Sequence, residues 1–455
     1  MPGRQQLLRV ARVGIGEDTG RLDYQGVDEP TRPRRQQPSL RVCVRRLRPL
    51  RDLVRLVRVV DAHLEGSRRQ GSDASGLPFD LSLNELTQHV FIPGLPGAGK
   101  TTTLTRLMDG ALAHGYGVVV IDCKGGGLRA DAKRVAGAHG LGVYIVSPSA
   151  PDSLGYNPCT GPGYSVANKI VGALSFGGEA GIYRDVALGI IPPIVDAMRA
   201  LGRPVTLDRL HEALATGNIG GLATQLRQET GDMAGYLCGV LEGLEDEGGV
   251  FAAGRDGLRH RLTAFRNGAF GALLRKEPAL VWGDALARPS VAYVELPALG
   301  ADQDVDLLSR VVLQDLKEVA KARIDATNDG KEGVPLLLII DEFAALREAG
   351  QIGDLLLQGR EAKIRVVVAS QFLPENAALR NAVVGAGLLL VHRVGPEDAA
   401  LLAAQAGTRG TTDEPNITPQ TLATLPLGQI AVRSVARSTS GWCGLVTVHK
   451  EIEER

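Results

Sequence analysis

Residues Gly94 to Thr101 read Gly-Leu-Pro-Gly-Ala-Gly-Lys-Thr, between a short apolar run, His89 to Pro93, and an alternating apolar stretch that begins at Thr102. Strand, glycine loop, helix is the setting of a phosphate-binding loop, and it points the chain toward an α/β fold. Glycines at 94, 97 and 99 let the backbone turn tightly enough for successive N–H groups to face one anion, and the following helix adds the positive end of its dipole. Lys100 is placed to reach the β- and γ-phosphates of a nucleoside triphosphate, and the Thr101 hydroxyl to ligate magnesium. The expected nucleotide-binding set is therefore Gly94, Gly97, Ala98, Gly99, Lys100, Thr101 and Thr102. ATP and Mg2+ are the expected cofactors.

A second element lies far downstream. Pro335 to Phe343 reads Pro-Leu-Leu-Leu-Ile-Ile-Asp-Glu-Phe, five unbroken large aliphatics ending in two acids. Such a run suits a parallel strand buried on both faces, and the proline before it and the charges after it favour that over a buried helix. At the carboxyl end of a strand beside a phosphate loop, Asp341 can hold the magnesium shell and Glu342 can polarise an attacking water. Without the loop, the same acids would be an ordinary exit turn.

The chain has 455 residues, more than one hydrophobic core usually serves, so two or three domains are expected. Its net charge is zero, but unevenly spread: residues 1–70 carry 16 Arg, no Lys and 8 acids, a local charge of +8, so the remainder carries −8. Five cysteines (43, 123, 159, 238 and 443) are scattered with no Cys-x-x-Cys pair, which points to reduced thiols in a cytosolic protein and away from a zinc site. No run of 18 apolar residues occurs and the first 30 residues lack a signal-peptide core, so no transmembrane segment is expected.

Periodicity divides the chain into four parts. Residues 1–80 form a basic, partly flexible arm with one helical candidate, Arg48 to Leu64, whose Leu50, Leu53, Val54, Val57 and Leu64 share one face while Arg48, Arg51, Arg55 and Arg58 share another. That helix suits packing on its own domain, an anionic membrane surface, DNA or a partner protein. Residues 81–164 alternate strand and helix, with strands at Gly117 to Asp122 and Gly142 to Ser147 and a helix at Leu128 to His139, the pattern of a parallel sheet. Residues 165–275 turn Ala- and Leu-rich with helical period, an inserted all-α domain. Residues 276–455 resume the core, with strands expected at Ala279 to Trp282, Val291 to Pro297, Leu336 to Asp341, Ile364 to Ala369, Gly387 to Val391, Gln429 to Ser434 and Trp442 to His449. Lys124, in the glycine-rich loop after Asp122, can contact phosphate or nucleic acid, or simply occupy a flexible turn. Gln371, just past a strand's carboxyl end, can sense a γ-phosphate or orient water. Arg360, at a helix end, can project into a neighbouring subunit's site, and each of these two residues taken singly can equally be structural.

Four stretches accumulate in order: Gly94 to Thr101, Val118 to Gly126, Leu336 to Phe343 and Gly359 to Gln371. Their order and spacing resemble the FtsK/HerA superfamily of hexameric DNA pumps, and within it the type IV secretion coupling proteins of conjugation. Tyr156-Asn157-Pro158 looks like that family's Asn-Pro element, and Gly395-Pro396-Glu397-Asp398-Ala399 like its Glu-Asp-Ala helix start. The resemblance covers residues 80–435. It implies a RecA-like P-loop NTPase core, mainly parallel, with Lys100 and Thr101 on ATP and magnesium, Asp341 and Glu342 serving metal and water, Arg360 as a finger across a subunit boundary and Gln371 as sensor. It also implies a homo-hexameric ring with DNA passing non-specifically through its centre. Two features depart from the pattern: this chain has no transmembrane helix pair, and Pro96 and Ala98 stand where hydroxyl residues are usual.

The expected function is thus a cytoplasmic, DNA-translocating ATPase of conjugative transfer, with a relaxase and a membrane channel as candidate partners and the inner face of the membrane as an alternative location. A protein-secretion motor of the same superfamily and a non-processive, nucleotide-operated adaptor are the other readings.

Overall fold

In the computed structural model, the branched aliphatic runs become the strands of one eleven-stranded sheet. The structure describes residues 54–55, 71–72, 81, 85, 88–174, 181–229, 231–246, 248–297, 302–331, 333–346, 349–405, 417–436 and 444–448. In chain order the strands are β1 (Val54–Arg55), β2 (Gly71–Ser72), β3 (Val90–Pro93), β4 (Gly117–Asp122), β5 (Val143–Val146), β6 (Val291–Glu295), β7 (Leu336–Asp341), β8 (Ile364–Ser370), β9 (Leu388–Val391), β10 (Gln429–Ser434) and β11 (Gly444–Val448). Across the sheet they run β1-β11-β10-β9-β3-β8-β7-β4-β6-β5, with β2 also on β11. All pairings from β9 through β3 to β5 are parallel, whereas β10 is antiparallel to both β9 and β11.

The central strands are buried on both faces, which is why they read as unbroken aliphatic runs rather than as alternation. Along β4, Val119 and Ile121 point into one apolar cluster and Val118 and Val120 into the other. The second cluster is closed by Leu104, Leu107 and Met108 of the helix Lys100–Ala113 and by Ala132 and Val135 of the helix Arg129–Ala138. On the opposite face the cluster continues into Ile170, Ile190, Ile194, Leu210, Leu241 and Leu262. Those residues belong to helices Gly163–Ala173, Gly181–Ala200, Leu207–Ala213, Asp232–Asp246 and Val250–Asn267.

A buried polar network ties these helices to the long helix Asp302–Asn328. The Lys169 ammonium, fully buried, donates to Asp315 Oδ1 at 2.7 Å, Thr160 O at 2.6 Å and Thr160 Oγ1 at 3.1 Å, which uses all three of its hydrogens. Tyr156 donates its hydroxyl to the other Asp315 oxygen, and Trp282 Nε1 donates to that hydroxyl at 3.3 Å. Asn157, of the Asn-Pro element, donates to Val205 O at 2.8 Å and accepts from Cys159 N at 3.0 Å. The element is thus a bracket between the exit of the sheet and the helical segment.

Two expected elements differ. Ala279 to Trp282 is not a strand: Ala279 forms one isolated parallel bridge with Gly155, and Trp282–Ala285 is a short helix that buries the indole against Tyr156. The helix expected over Arg48 to Leu64 lies outside the described residues except for β1, whose two residues are extended and pair with Val446 and Thr447. No described helix is long and apolar enough to cross a membrane.

Candidate active site

Parallel pairing of β3, β8, β7 and β4 brings their carboxyl ends, Pro93, Ser370, Asp341 and Asp122, to one edge. The register pairs Pro93 with Ser370 and Asp122 with Asp341. β8 therefore intervenes between the glycine loop and the acids, a separation of about 10 Å at ordinary strand spacing. Gln371 leaves β8 in that gap.

The loop after β3 is held from behind. Gly94 N donates to Ser370 O at 3.0 Å and Leu95 N to Arg393 O at 2.7 Å. Gly97 and Gly99 have φ of 73° and 104°, conformations that favour glycine. Gly94 is glycine for a different reason than tight turning: a Cβ there would lie 2.5 Å from His392 Cβ. Lys100 is buried, with its ammonium on the carbonyl of Gly94 and 3.4 Å from that of Leu95. Burial pushes its pKa down, opposed by the nearby Glu342 and Asp341 carboxylates. Thr101 and Thr102 are half-buried at the helix start, and Ala98 is buried beneath the loop.

The acids have separate environments. Asp341 is buried, and burial, then Asp122 and Glu342, push its pKa up to about 6. A buried carboxylate destabilised by two others is the chemistry a hard divalent cation satisfies, so Asp341 with the Thr101 hydroxyl fits magnesium. Among the described residues no set of three or more His, Cys, Asp or Glu side chains could hold a metal ion. Asp122 serves the backbone instead, accepting from Lys124 N and Leu128 N at 2.9 Å each and from Tyr293 Oη at 2.8 Å. Those bonds shape the Gly125 to Gly127 loop and leave Lys124 exposed within electrostatic reach of Asp341 and Lys100.

Glu342 has φ 55°, left-handed backbone that a side-chain-bearing residue occupies only under constraint. Its carboxylate accepts from Gln371 N at 3.2 Å and from Gln371 Nε2 at 2.9 Å. Asp398, from the Glu-Asp-Ala helix start, accepts from Leu373 N at 3.2 Å and pins the turn that carries Gln371. Lys100, Asp341, Glu342 and Gln371 thus share one edge.

Arg360 is not with them. It lies exposed in the turn between the helix Ala349–Gln358 and β8, at the amino edge of the sheet. The seven residues of β8 separate that turn from Gln371, about 20 Å at the usual strand rise. Beneath it His89 accepts from Val366 N at 3.0 Å, and its pKa is pushed down to about 4, mostly by burial and then by Arg365. Three supporting residues escaped the sequence reading: His89, His392 and the role of Asp398. For His392 one signal existed, since it exits a parallel strand at the edge where ligands gather.

Residues 69–126 match the family model described as the helicase HerA central domain. No curated protein sequence matches the chain. Among solved structures, the bacterial conjugative coupling protein TrwBdeltaN70 in an unbound monoclinic form aligns with TM-score 0.57 and 17% identity, covering 82% of this chain and 86% of its own. The plasmid coupling protein TrwB in complex with the ATP analogue ADPNP gives TM-score 0.57 and 15% identity over 90% of this chain and 96% of its own. The same protein with ADP and Mg2+ gives 0.54 and 16% over 84% and 89%. The resemblance drawn from the four motifs is borne out at the level of fold: the α/β architecture is shared with these conjugative coupling proteins, and residues 69–126 match the HerA central-domain model.

Proposed function

We propose that the chain is an ATP-hydrolysing motor that moves DNA, working as a ring of six subunits in the manner of a conjugative coupling protein. The observation that carries this reading is the meeting of Lys100, Asp341, Glu342 and Gln371 at the carboxyl edge of four adjacent parallel strands. ATP would lie on the N–H groups of residues 97–101, with Lys100 leaving the Gly94 and Leu95 carbonyls for the β- and γ-phosphate oxygens. Thr101 and Asp341 would hold magnesium, whose charge neutralises the triphosphate when bound. Glu342 would take the proton of the attacking water, and the Gln371 amide, now on Glu342, would sense the γ-phosphate. Arg360 would act on the next subunit's nucleotide, since its own sheet holds it at the far edge.

The likeness to coupling proteins supports DNA as the cargo, with non-specific contact inside the ring and a relaxase and membrane channel as partners. ATPase activity measured with and without DNA across a salt series, beside native mass with and without ATP, tests this. DNA stimulation that weakens with salt is expected because phosphate neutralisation releases counterions, and a six-subunit mass with ATP is expected of the ring. Slow turnover indifferent to DNA, in a species that stays monomeric, would overturn the motor.

A further inference from the structure

His392 follows β9 at the carboxyl edge and is completely buried. Its backbone N–H donates to Pro93 O at 3.0 Å, which keeps it beside the start of the glycine loop. Its ring Nδ1 lies 2.8 Å from Ala98 O and its Nε2 lies 3.0 Å from Thr103 Oγ1. A carbonyl only accepts, so Nδ1 carries the proton and Nε2 receives the Thr103 hydroxyl, an assignment set by the hydrogen-bond network. Burial, with Lys100 nearby, pushes the ring pKa down to about 4, so the imidazole is neutral.

The consequence follows from peptide planarity. In a trans peptide, C=O and the next N–H point in opposite directions. Holding the Ala98 carbonyl on His392 therefore turns the Gly99 N–H away from the ring and into the cradle of the loop. His392 fits beside Gly94 only because that residue lacks a side chain, since a Cβ there would stand 2.5 Å from the His392 Cβ; a Cβ on Gly99 would meet Cε1 at 3.4 Å, an ordinary contact, and that residue is glycine for its φ of 104°. His392 meets the loop at Gly94, Ala98 and Gly99 and the first helical turn at Thr103.

We infer that His392 is a positioning residue for the phosphate loop, one that aims the Gly99 amide at bound triphosphate by anchoring the Ala98 carbonyl and the Thr103 hydroxyl. The inference rests on the nucleotide-binding reading above. Two substitutions of nearly equal shape separate it from a packing role. His392→Asn keeps an N–H near the Nδ1 position, whereas His392→Leu keeps the bulk and donates nothing. Equilibrium ATP binding with magnesium, together with KM and kcat, should show His392→Leu weakened about tenfold or more in affinity, the scale of an unmet buried carbonyl. His392→Asn should recover most of that loss, and KM should move more than kcat. Thr103→Val, which leaves the imidazole in place, should weaken binding by a smaller factor and Thr103→Ser should restore it, so a poorly folding His392 variant does not end the test. Equal affinities for the Leu and Asn variants, or unchanged affinity in Thr103→Val, overturn the inference. Failure of the unmodified protein to bind ATP overturns the underlying nucleotide reading instead.

Discussion

The two edges of the sheet carry opposite chemistry. At the carboxyl edge Lys100 lies within electrostatic reach of Asp341 and Glu342, Asp122 stands beside Asp341, and the Asp341 pKa rises to about 6, mostly through burial. At the amino edge Arg360 and Arg365 flank His89, whose pKa falls to about 4, again mostly through burial. Each edge also holds one side-chain-bearing residue at φ 55°, Glu342 leaving β7 and Lys363 entering β8. A carboxylate-rich edge is suited to a cation and a phosphate chain. A cationic edge on the same subunit stands a full strand length from that chemistry, so under the proposed reading it completes the site of another copy.

The sharpest way to break this contrast is Arg360→Ala. Turnover should fall by about 10^3–10^5-fold while equilibrium ATP binding changes little, as for an arginine acting on transition-state charge. Glu342→Gln should lower turnover by about 10^2–10^4-fold, also with ATP retained. Mixing the two inactive proteins should restore part of the activity, because some mixed boundaries join an intact Arg360 to an intact Glu342. No recovery, with mixed rings demonstrated by mass, would sink the proposal that the edges meet across subunits.

Asp341→Asn separates function from stability. The folded pKa of Asp341 lies above its unfolded value of 3.8, so the native state binds the proton more tightly, and stability is lost as pH rises from near 3.8 to about 6. Without nucleotide or magnesium, the Asn variant should be more stable than the parent at pH 7 by about 2 kcal/mol, a gain that shrinks toward pH 4. Thermal melts at pH 7 and 5 check the sign, and magnesium-dependent turnover should be lost. The smallest effect is expected at the amino edge, where Lys363→Gly should relieve left-handed backbone and add roughly 1 kcal/mol of stability at unchanged turnover. If it lowers turnover as Glu342→Gly should, the strain at the two edges serves one purpose rather than two.

Legibility in the sequence followed local pattern. β7 was readable because Leu336 to Ile340 is buried on both faces and ends in charge, and the glycine loop because Gly97 and Gly99 serve a local backbone need. Ala279 to Trp282 misled because a short apolar run has no period to separate a strand from a helical turn, and one bridge plus the burial of Trp282 decided its shape. Gly94 reads in the sequence as a turning residue, whereas its missing side chain makes room for His392, 298 residues later in the chain. Gln371 follows β8 directly, as its place after an apolar run predicts, but its bond to Glu342 depends on β8 lying beside β7.

Motif and periodicity, on their own, determined an α/β fold with a glycine loop between strand and helix, a lysine at the start of that helix, a pair of acids at a strand exit and a helical stretch in the middle. These are local matters, set by φ/ψ freedom, side-chain period and the burial of strands on both faces. Only the tertiary structure decided that β8 separates the loop from the acids, that a buried imidazole supports the loop and that Arg360 lies at the opposite edge of the sheet from both. Those facts depend on strand order and register, which arise from the packing of distant segments and leave no mark in any one stretch of residues.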